Sequence, residues 1–430
     1  MKYQLLIQLF ILISISTLSC KKAQVNDVLP EVKLNVSSPF SMQIGSVVSI
    51  RPELSQQSES LAYSWSVNGI NHSDQLNFDY EPQQTGVFSI SLEIKNQAGQ
   101  SSTTNLKLVV LKNNTFKVMG YLPSWKNANP SVVKWDALTH LCFAFLKVNA
   151  DGSLNDTEVS GQLQSIVNEG HKNGVAVLIS VGGGGTANFS DCLLNESSRK
   201  NLTANLVKFA ATYEVDGLDI DYEEFEGSST GASTQDLIKR MALENLYSDL
   251  RKSLPADKLL TAAVSPSWQN PNWGYYNCYT NSMVQYLDFV GLMIYDQSGT
   301  WNTSPFAQHS DYQAHFIPSI NHWLTNRQAP KNKILAGVPF YGYKFKDTNG
   351  GLAEAISYRD ILSQYPNNQV ELKDSIVLIF YNGKETIQEK ANYIKNSNLG
   401  GIMIWEITQD DDDTSKSLLT AIKQILGEGN

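Results

Sequence analysis

From residue 116 onward, short apolar runs alternate with stretches in which apolar residues recur every three or four positions. The runs lie at 117–121, 141–145, 175–180, 215–223, 259–265, 289–295, 334–340 and 402–405. Each is nearly continuously apolar, as a strand covered on both faces must be. Helical spacing falls between them. Leu202, Leu206, Phe209 and Tyr213 follow Ser197, a candidate cap; Leu237, Met241, Leu246 and Leu250 form a second set, and Ile387, Ala391 and Ile394 a third. Eight strands alternating with helices over 116–428 predict an α/β fold, a closed (β/α)8 TIM barrel. A doubly wound open sheet is the alternative. The chain offers no Gly-rich dinucleotide or phosphate loop to support it and no cofactor is expected.

Over 30–112 the period changes from helical to alternating. Tyr63-Ser64-Trp65-Ser66-Val67 ends at Asn68-Gly69, a hairpin turn pair. Residues 87–94 alternate again toward a turn at 96–99, and 106–111 form a last strand. This predicts a small all-β sandwich ahead of the barrel. The Trp65 strand and Thr85-Gly86-Val87-Phe88 resemble PKD-like and other immunoglobulin-like modules of secreted bacterial enzymes, whose expected role here is spacing, with glycan contact as the alternative.

At the N-terminus, Lys2 precedes an apolar run at 5–15 that is short for a spanning helix, so 1–19 reads as a targeting segment. It closes with Thr17-Leu18-Ser19-Cys20, which resembles a bacterial lipoprotein cleavage site with Leu18 one place later than usual. That resemblance implies lipid on Cys20, a tether over 20–29, and an exported chain in the bacterial cell envelope that meets the membrane only through its anchor. A simple secretory signal is the alternative. Cys142, Cys192 and Cys278 remain, an odd count that argues against a disulfide framework. Cys142 sits in an apolar run and reads as a small buried hydrophobe. No Cys or His spacing forms a metal site.

The formal charge of −9 argues against a nucleic-acid partner. The 19 Tyr and 8 Trp supply flat faces for sugar rings, although core packing accounts for many of them.

The chemistry concentrates in Asp216-Gly217-Leu218-Asp219-Ile220-Asp221-Tyr222-Glu223. In a strand, Asp219, Asp221 and Glu223 share one face and Leu218, Ile220 and Tyr222 the other. Three carboxylates in a row with an apolar back repel one another and resist desolvation, so they are expected to bind or react with something. The plainer reading is a polar edge strand with one solvated face. Asp216 falls on the opposite face and is expected to shape the start of the strand. Glu223 comes last and so lies nearest the open end of a barrel. A general acid must hold its proton, which a Glu with the ordinary value of about 4.3 does not. Burial and the neighbouring Asp221 both push that value up. Asp219 behind it is expected to share a proton with Asp221. Asp221, beside Glu223 on the same strand, is poorly placed to attack a substrate from the side opposite that acid.

The octapeptide resembles the DGxDxDxE signature of family 18 glycoside hydrolases, the chitinase family. Ser180-Val181-Gly182-Gly183, Met293-Ile294-Tyr295-Asp296, Gly337-Val338-Pro339-Phe340-Tyr341-Gly342 and Gly400-Gly401-Ile402-Met403-Ile404-Trp405-Glu406 are similar to its segments on strands three, six, seven and eight. The resemblance implies that the substrate's own 2-acetamido oxygen is the nucleophile. It assigns Glu223 as proton donor, Asp221 as the clamp on the acetamido N–H, Asp219 as its support, and Tyr295 as donor to the acetamido oxygen. Trp405 becomes a floor under the sugar and Asp296 a sugar contact. Tyr121 and Phe143 wall the acetamido pocket, and Met293, Tyr341, Gly182 and Gly183 approach the substrate. Trp268, Trp273, Tyr275, Tyr276 and Trp301 offer further stacking or mere surface packing. The chain departs from the common pattern with Gly184-Gly185 after the third-strand motif and Glu224 after Glu223. It leaves little room between Tyr343 and Gly400 for a large insert, so a shallower groove is expected. The expected activity is retaining hydrolysis of β-1,4-linked N-acetylglucosamine. The alternatives are an endo-β-N-acetylglucosaminidase acting on the chitobiose core of N-glycans and a non-catalytic glycan-binding protein.

Overall fold

The computed structural model describes residues 29–55, 61–126, 128–225, 233–266, 279–299, 308–346 and 353–427. The targeting segment, the tether with Cys20, Cys278, and the loop aromatics Trp268, Trp273, Tyr275, Tyr276 and Trp301 lie outside them.

Eight parallel strands form a closed barrel: β1 (Lys117–Pro123), β2 (His140–Val148), β3 (Ala176–Gly182), β4 (Gly217–Asp221), β5 (Leu259–Val264), β6 (Phe289–Leu292), β7 (Ile334–Pro339) and β8 (Gly401–Trp405). Each pairs with its sequence neighbour, and β1 closes the ring against both β2 and β8. Strand alternation sorts the side chains into two layers. Met119, Tyr121, Cys142, Ala144, Leu178, Leu335 and Met403 fill the interior. Val118, Leu122, Leu141, Val177, Ile179, Leu218 and Ile220 pack outward in the helix-side core. Phe143 belongs to that outer core and is fully buried there, so it does not wall a sugar pocket.

The helices follow the predicted spacing with local corrections. Glu196–Tyr213 buries Leu202, Leu206 and Phe209 but is capped by Asn195, whose side chain accepts from the Ser198 N–H; Ser197 already lies inside the helix. Thr234–Ser253 opens with a capping box between Ser233 and Asp236. It buries Leu243, Leu246, Tyr247 and Leu250, whereas Met241 is 62% exposed because it falls beside the buried stripe. Lys384–Ser397 buries Ile387, Ala391 and Ile394.

After β7 comes an insert that the apolar pattern did not disclose. Strands Tyr341–Phe345, Ala353–Ser357, Ser375–Ile376 and Ile379–Phe380 form an antiparallel sheet with helix Tyr358–Gln364. It is small, with two-residue strands at its edge, and short strands carry little periodic signal.

Ahead of the barrel, the N-terminal residues form separate β-sheets. The largest runs Phe40–Gln43, Ser101–Leu111, Gly86–Lys95, Ala62–Val67, Ile70–Ser73, and a second pairs Val48–Ile50 with Phe78–Tyr80. Trp65, Phe78, Ile90, Leu92, Leu106 and Leu108 share one core. Asn68 and Gly69 both have positive φ, 51° and 80°, the geometry of a tight hairpin turn. These sheets meet the barrel where its strands begin. The Lys112 N–H donates to the Gly174 carbonyl just before β3, and Lys112 Nζ reaches the Leu138 carbonyl just before β2. Ser41 Oγ donates to Asp216 Oδ1 at 2.8 Å just before β4. The opposite ends of the strands are left for chemistry.

Candidate active site

Strand β4 carries Asp219 at its middle and Asp221 at its end, with Glu223 just beyond. Asp219 is fully buried and accepts three hydroxyls: Tyr121 of β1 at 2.7 Å and Ser180 of β3 at 2.9 Å on Oδ2, and Thr261 of β5 at 2.6 Å on Oδ1. Burial pushes its carboxyl up despite these donors. Both Asp219 oxygens are committed to hydroxyls, and the Asp219 charge adds to those that raise Asp221. Thr261 was missed by sequence reasoning, though a hydroxyl within Leu259-Leu260-Thr261-Ala262-Ala263-Val264 was a readable signal.

Asp221 is raised well above the usual carboxylate range by burial, then by the charges of Glu223 and Asp219, with Lys147 opposing. Its Oδ1 is buried and has no hydrogen-bond partner among the described residues. Glu223 is also raised, first by burial and then by Asp296, while the Gly184 N–H and Lys147 oppose. Asp221 and Glu223 act on each other as a pair, as expected, and Asp296 is a further carboxylate that raises Glu223.

Asp296 follows β6 with φ of 57°. Its Oδ1 accepts from Tyr341 and, at 3.0 Å, from Tyr343. Buried His309 holds its backbone: the Asp296 N–H donates to Nδ1 at 3.2 Å, and Nε2 lies 3.1 Å from the Tyr341 carbonyl. Nδ1 is also 3.4 Å from Asp296 Oδ1, a contact that becomes an ion pair only on the protonated ring. Burial alone would raise the Asp296 carboxyl, but His309, Tyr341 and Tyr343 outweigh it and hold it below its ordinary value. Tyr341 thus grips Asp296 and does not line the cleft. Tyr295 and Met293 do line it, with Tyr295 Oη 3.6 Å from Met403 Sδ.

Two adjoining hollows, about 690 and 590 Å³, meet at Glu223, Met293, Tyr295 and Asp296. The larger also holds Tyr121, Asp221 and a wall of stacked rings. Trp405 packs on Phe145 at 5.7 Å and 19°, and 53%-exposed Trp125 covers Phe145 at 5.9 Å and 27°. Phe145 takes the place expected for Phe143, because a register shift between Ala144 and Leu146 turns it inward. Trp125 and Phe145 were legible only as members of apolar or aromatic runs.

Gly182 and Gly183 serve packing. At positive φ of 109° and 82°, a Cβ on them would sit 2.3 Å from the Asp221 carbonyl and 2.4 Å from the Phe145 ring. The cleft surface is Gly184, where a Cβ would lie 3.3 Å from Glu223 Oε1. Glu224 turns away and accepts the Phe189 and Ser190 N–H groups at the start of a short helix, at 3.1 and 2.8 Å.

Glu223, its carboxyl raised by burial, thus faces a cleft walled by stacked rings, a pairing suited to proton donation beside a ring-shaped substrate. On the C-terminal rim of a closed (β/α)8 barrel, that is the chemistry of a glycoside hydrolase, and this protein is one. Residues 117–410 match the family model of glycosyl hydrolases family 18, and the chain belongs to that family. A crystal structure of a chitinase from Bacteroides thetaiotaomicron superposes with TM-score 0.62 at 30% identity, covering 73% of this chain and 97% of that one. Probable chitinase 10 of Drosophila melanogaster is 25% identical over 72% of this chain but only 16% of its own length. Putative chitinase 1 of Margaritifera margaritifera is 27% identical over 64% of this chain and 66% of its own.

Proposed function

We propose that the enzyme hydrolyses β-1,4 linkages between N-acetylglucosamine units, in chitin or chitooligosaccharides, with retention of configuration. The observation that carries this reading is the buried Asp221 Oδ1, without a hydrogen-bond partner among the described residues, beside a Glu223 whose carboxyl burial raises. A buried acceptor without a donor is costly, and an acetamido N–H supplies one. Asp221 and Glu223 stand two residues apart at one strand end, and Asp296 is committed to two tyrosines, which supports a nucleophile brought by the sugar. In the first step Glu223 protonates the glycosidic oxygen as the acetamido oxygen attacks C1. The C1–O bond breaks to leave an oxazolinium ion, with Asp221 accepting the N–H and Tyr295 donating to the oxygen. Water then opens the ring from the same face and returns its proton to Glu223. Trp405 floors the reacting sugar. The relatives named chitinases support this substrate class over N-glycans. Cys20 and the segment before it support export and a lipid tether, with the N-terminal sheets as a PKD-like spacer.

Incubation with N-acetylglucosamine oligosaccharides and, separately, a high-mannose glycoprotein tests the reading. Cleavage of the glycoprotein alone would refute it, and cleavage of neither would favour a binding protein. Glu223→Gln should lower kcat at least 10²–10⁴-fold while sparing oligosaccharide binding by calorimetry.

A further inference from the structure

Lys147, near the end of β2, has no part in the roles above, yet it reaches the cleft loop from behind. Its Nζ donates to the Gly182 carbonyl at 2.9 Å and to Thr186 Oγ1 at 3.1 Å, and it lies 5.0 Å from the centre of the Phe145 ring. Those contacts span the turn after β3. Within that turn the Gly183 N–H donates to the Asp221 carbonyl at 2.8 Å, and Gly184 abuts the Glu223 carboxyl. Thr186 closes the same turn by donating to the Gly182 and Gly183 carbonyls. A single ammonium thus fixes the backbone behind both working carboxyls and the ring under Trp405.

We propose that Lys147 is a positioning residue of the hydrolytic site: it pins the turn that holds Asp221 and Glu223 in register and brings a half-buried positive charge to that pair. The proposal rests on the acid role given to Glu223 above. The titratable and charged groups that interact with the pair are Tyr121 from β1, Cys142 and Lys147 from β2, Asp219 from β4, Tyr247 from helix Thr234–Ser253, and Tyr295 and Asp296 after β6. Among the charges acting on the pair the carboxylates push both members up, and Lys147 opposes them on both. An ordinary ammonium on flexible carbons could neutralise charge from the surface; this one is held by two acceptors and a ring face.

Three variants separate the hydrogen bonds from the charge. Lys147→Gln keeps a donor for the turn and removes the charge, Lys147→Met removes both, and Lys147→Arg keeps both. Wild type cleaving chitotetraose controls for the functional reading. Independently of turnover, the carboxyl stretch of Asp221 and Glu223 is followed by infrared titration, with Glu223→Gln identifying its own band. Lys147→Gln should move those titrations, and the basic limb of the kcat/KM profile, to higher pH, because a cation that favoured the ionised forms is gone. Lys147→Met should shift them likewise and also lower kcat about ten- to a hundredfold with little change in KM, from misplacement of the acid. Lys147→Arg should restore both. Unmoved titrations in Lys147→Gln, in a protein with wild-type circular dichroism, would overturn the proposal. So would a kcat loss in Lys147→Met that leaves the pH profile in place. If wild type does not cleave chitotetraose while the infrared bands still shift, the substrate reading fails and the role of Lys147 stands.

Discussion

Replacing Tyr121 with Phe deletes one hydroxyl and leaves the ring that packs 5.6 Å from Trp405. That hydroxyl is a 2.7 Å donor to Asp219 Oδ2 in the buried interior of the barrel. Asp219 keeps Ser180 and Thr261, so the buried carboxylate falls from three side-chain hydroxyl donors to two. A hydrogen bond to a charged group contributes about 1.5–3 kcal/mol. In a domain of this size that corresponds to a Tm lower by about 3–6 °C. The loss depends on pH with a definite sign. Burial already raises Asp219 in the folded protein, and Tyr121 is among the donors that lower it, so the variant raises it further. A carboxyl raised by folding destabilises most when the pH is above its folded value, and that cost disappears as it takes a proton. The Tm deficit should therefore be largest at neutral pH and shrink in acid. Scanning calorimetry of both proteins across that range measures it. A variant as stable as wild type at pH 7, or one with the same deficit at every pH, would refute the claim that Asp219 is an ionised group held by hydroxyls.

Asp296→Asn keeps an acceptor for Tyr341 and Tyr343 but removes the charge that raises Glu223. Its basic limb of kcat/KM should move to lower pH, as a pH–rate series on a chitooligosaccharide would read. Ser41→Ala removes the 2.8 Å donor to Asp216, a buried carboxylate that His171 at 2.8 Å and the Val177 N–H at 2.8 Å still hold. Unfolding in urea should show a loss of about 1–2 kcal/mol with cleavage rates unchanged, because the contact lies at the far end of the barrel from Glu223. Although burial opposes it, Asp216 is held below its ordinary value, chiefly by His171; its stabilisation is present above the unfolded value and lost as pH falls through the folded one, so the Ser41→Ala deficit should also fade in acid.

The run Asp219, Asp221, Glu223 on one strand face, the eight apolar segments, and the hairpin at Asn68-Gly69 were all legible because each is a local pattern with a period or a dipeptide. Phe143 was expected to wall the acetamido pocket, and the structure turns it to the helix-side core instead. What the sequence could not carry was register across strands. Asp219 meets Tyr121, Ser180 and Thr261 only because β1, β3 and β5 stand beside β4 in a closed ring. Phe145 faces the cleft through a one-residue shift in pairing that no period announces. Asp296 gained its grip from Tyr341 and Tyr343 of a small insert and from His309, thirteen residues on in the segment after β6. Asp216, dismissed from the chemistry by its parity, became a joint to the N-terminal sheets through Ser41, 175 residues away. The chain by itself determined which residue types line each face and carried the motifs whose resemblance to family 18 implied the reaction class. The tertiary structure decided which of them touch. Burial and the neighbours that share it set a carboxyl's proton affinity, and both exist only once distant segments have packed.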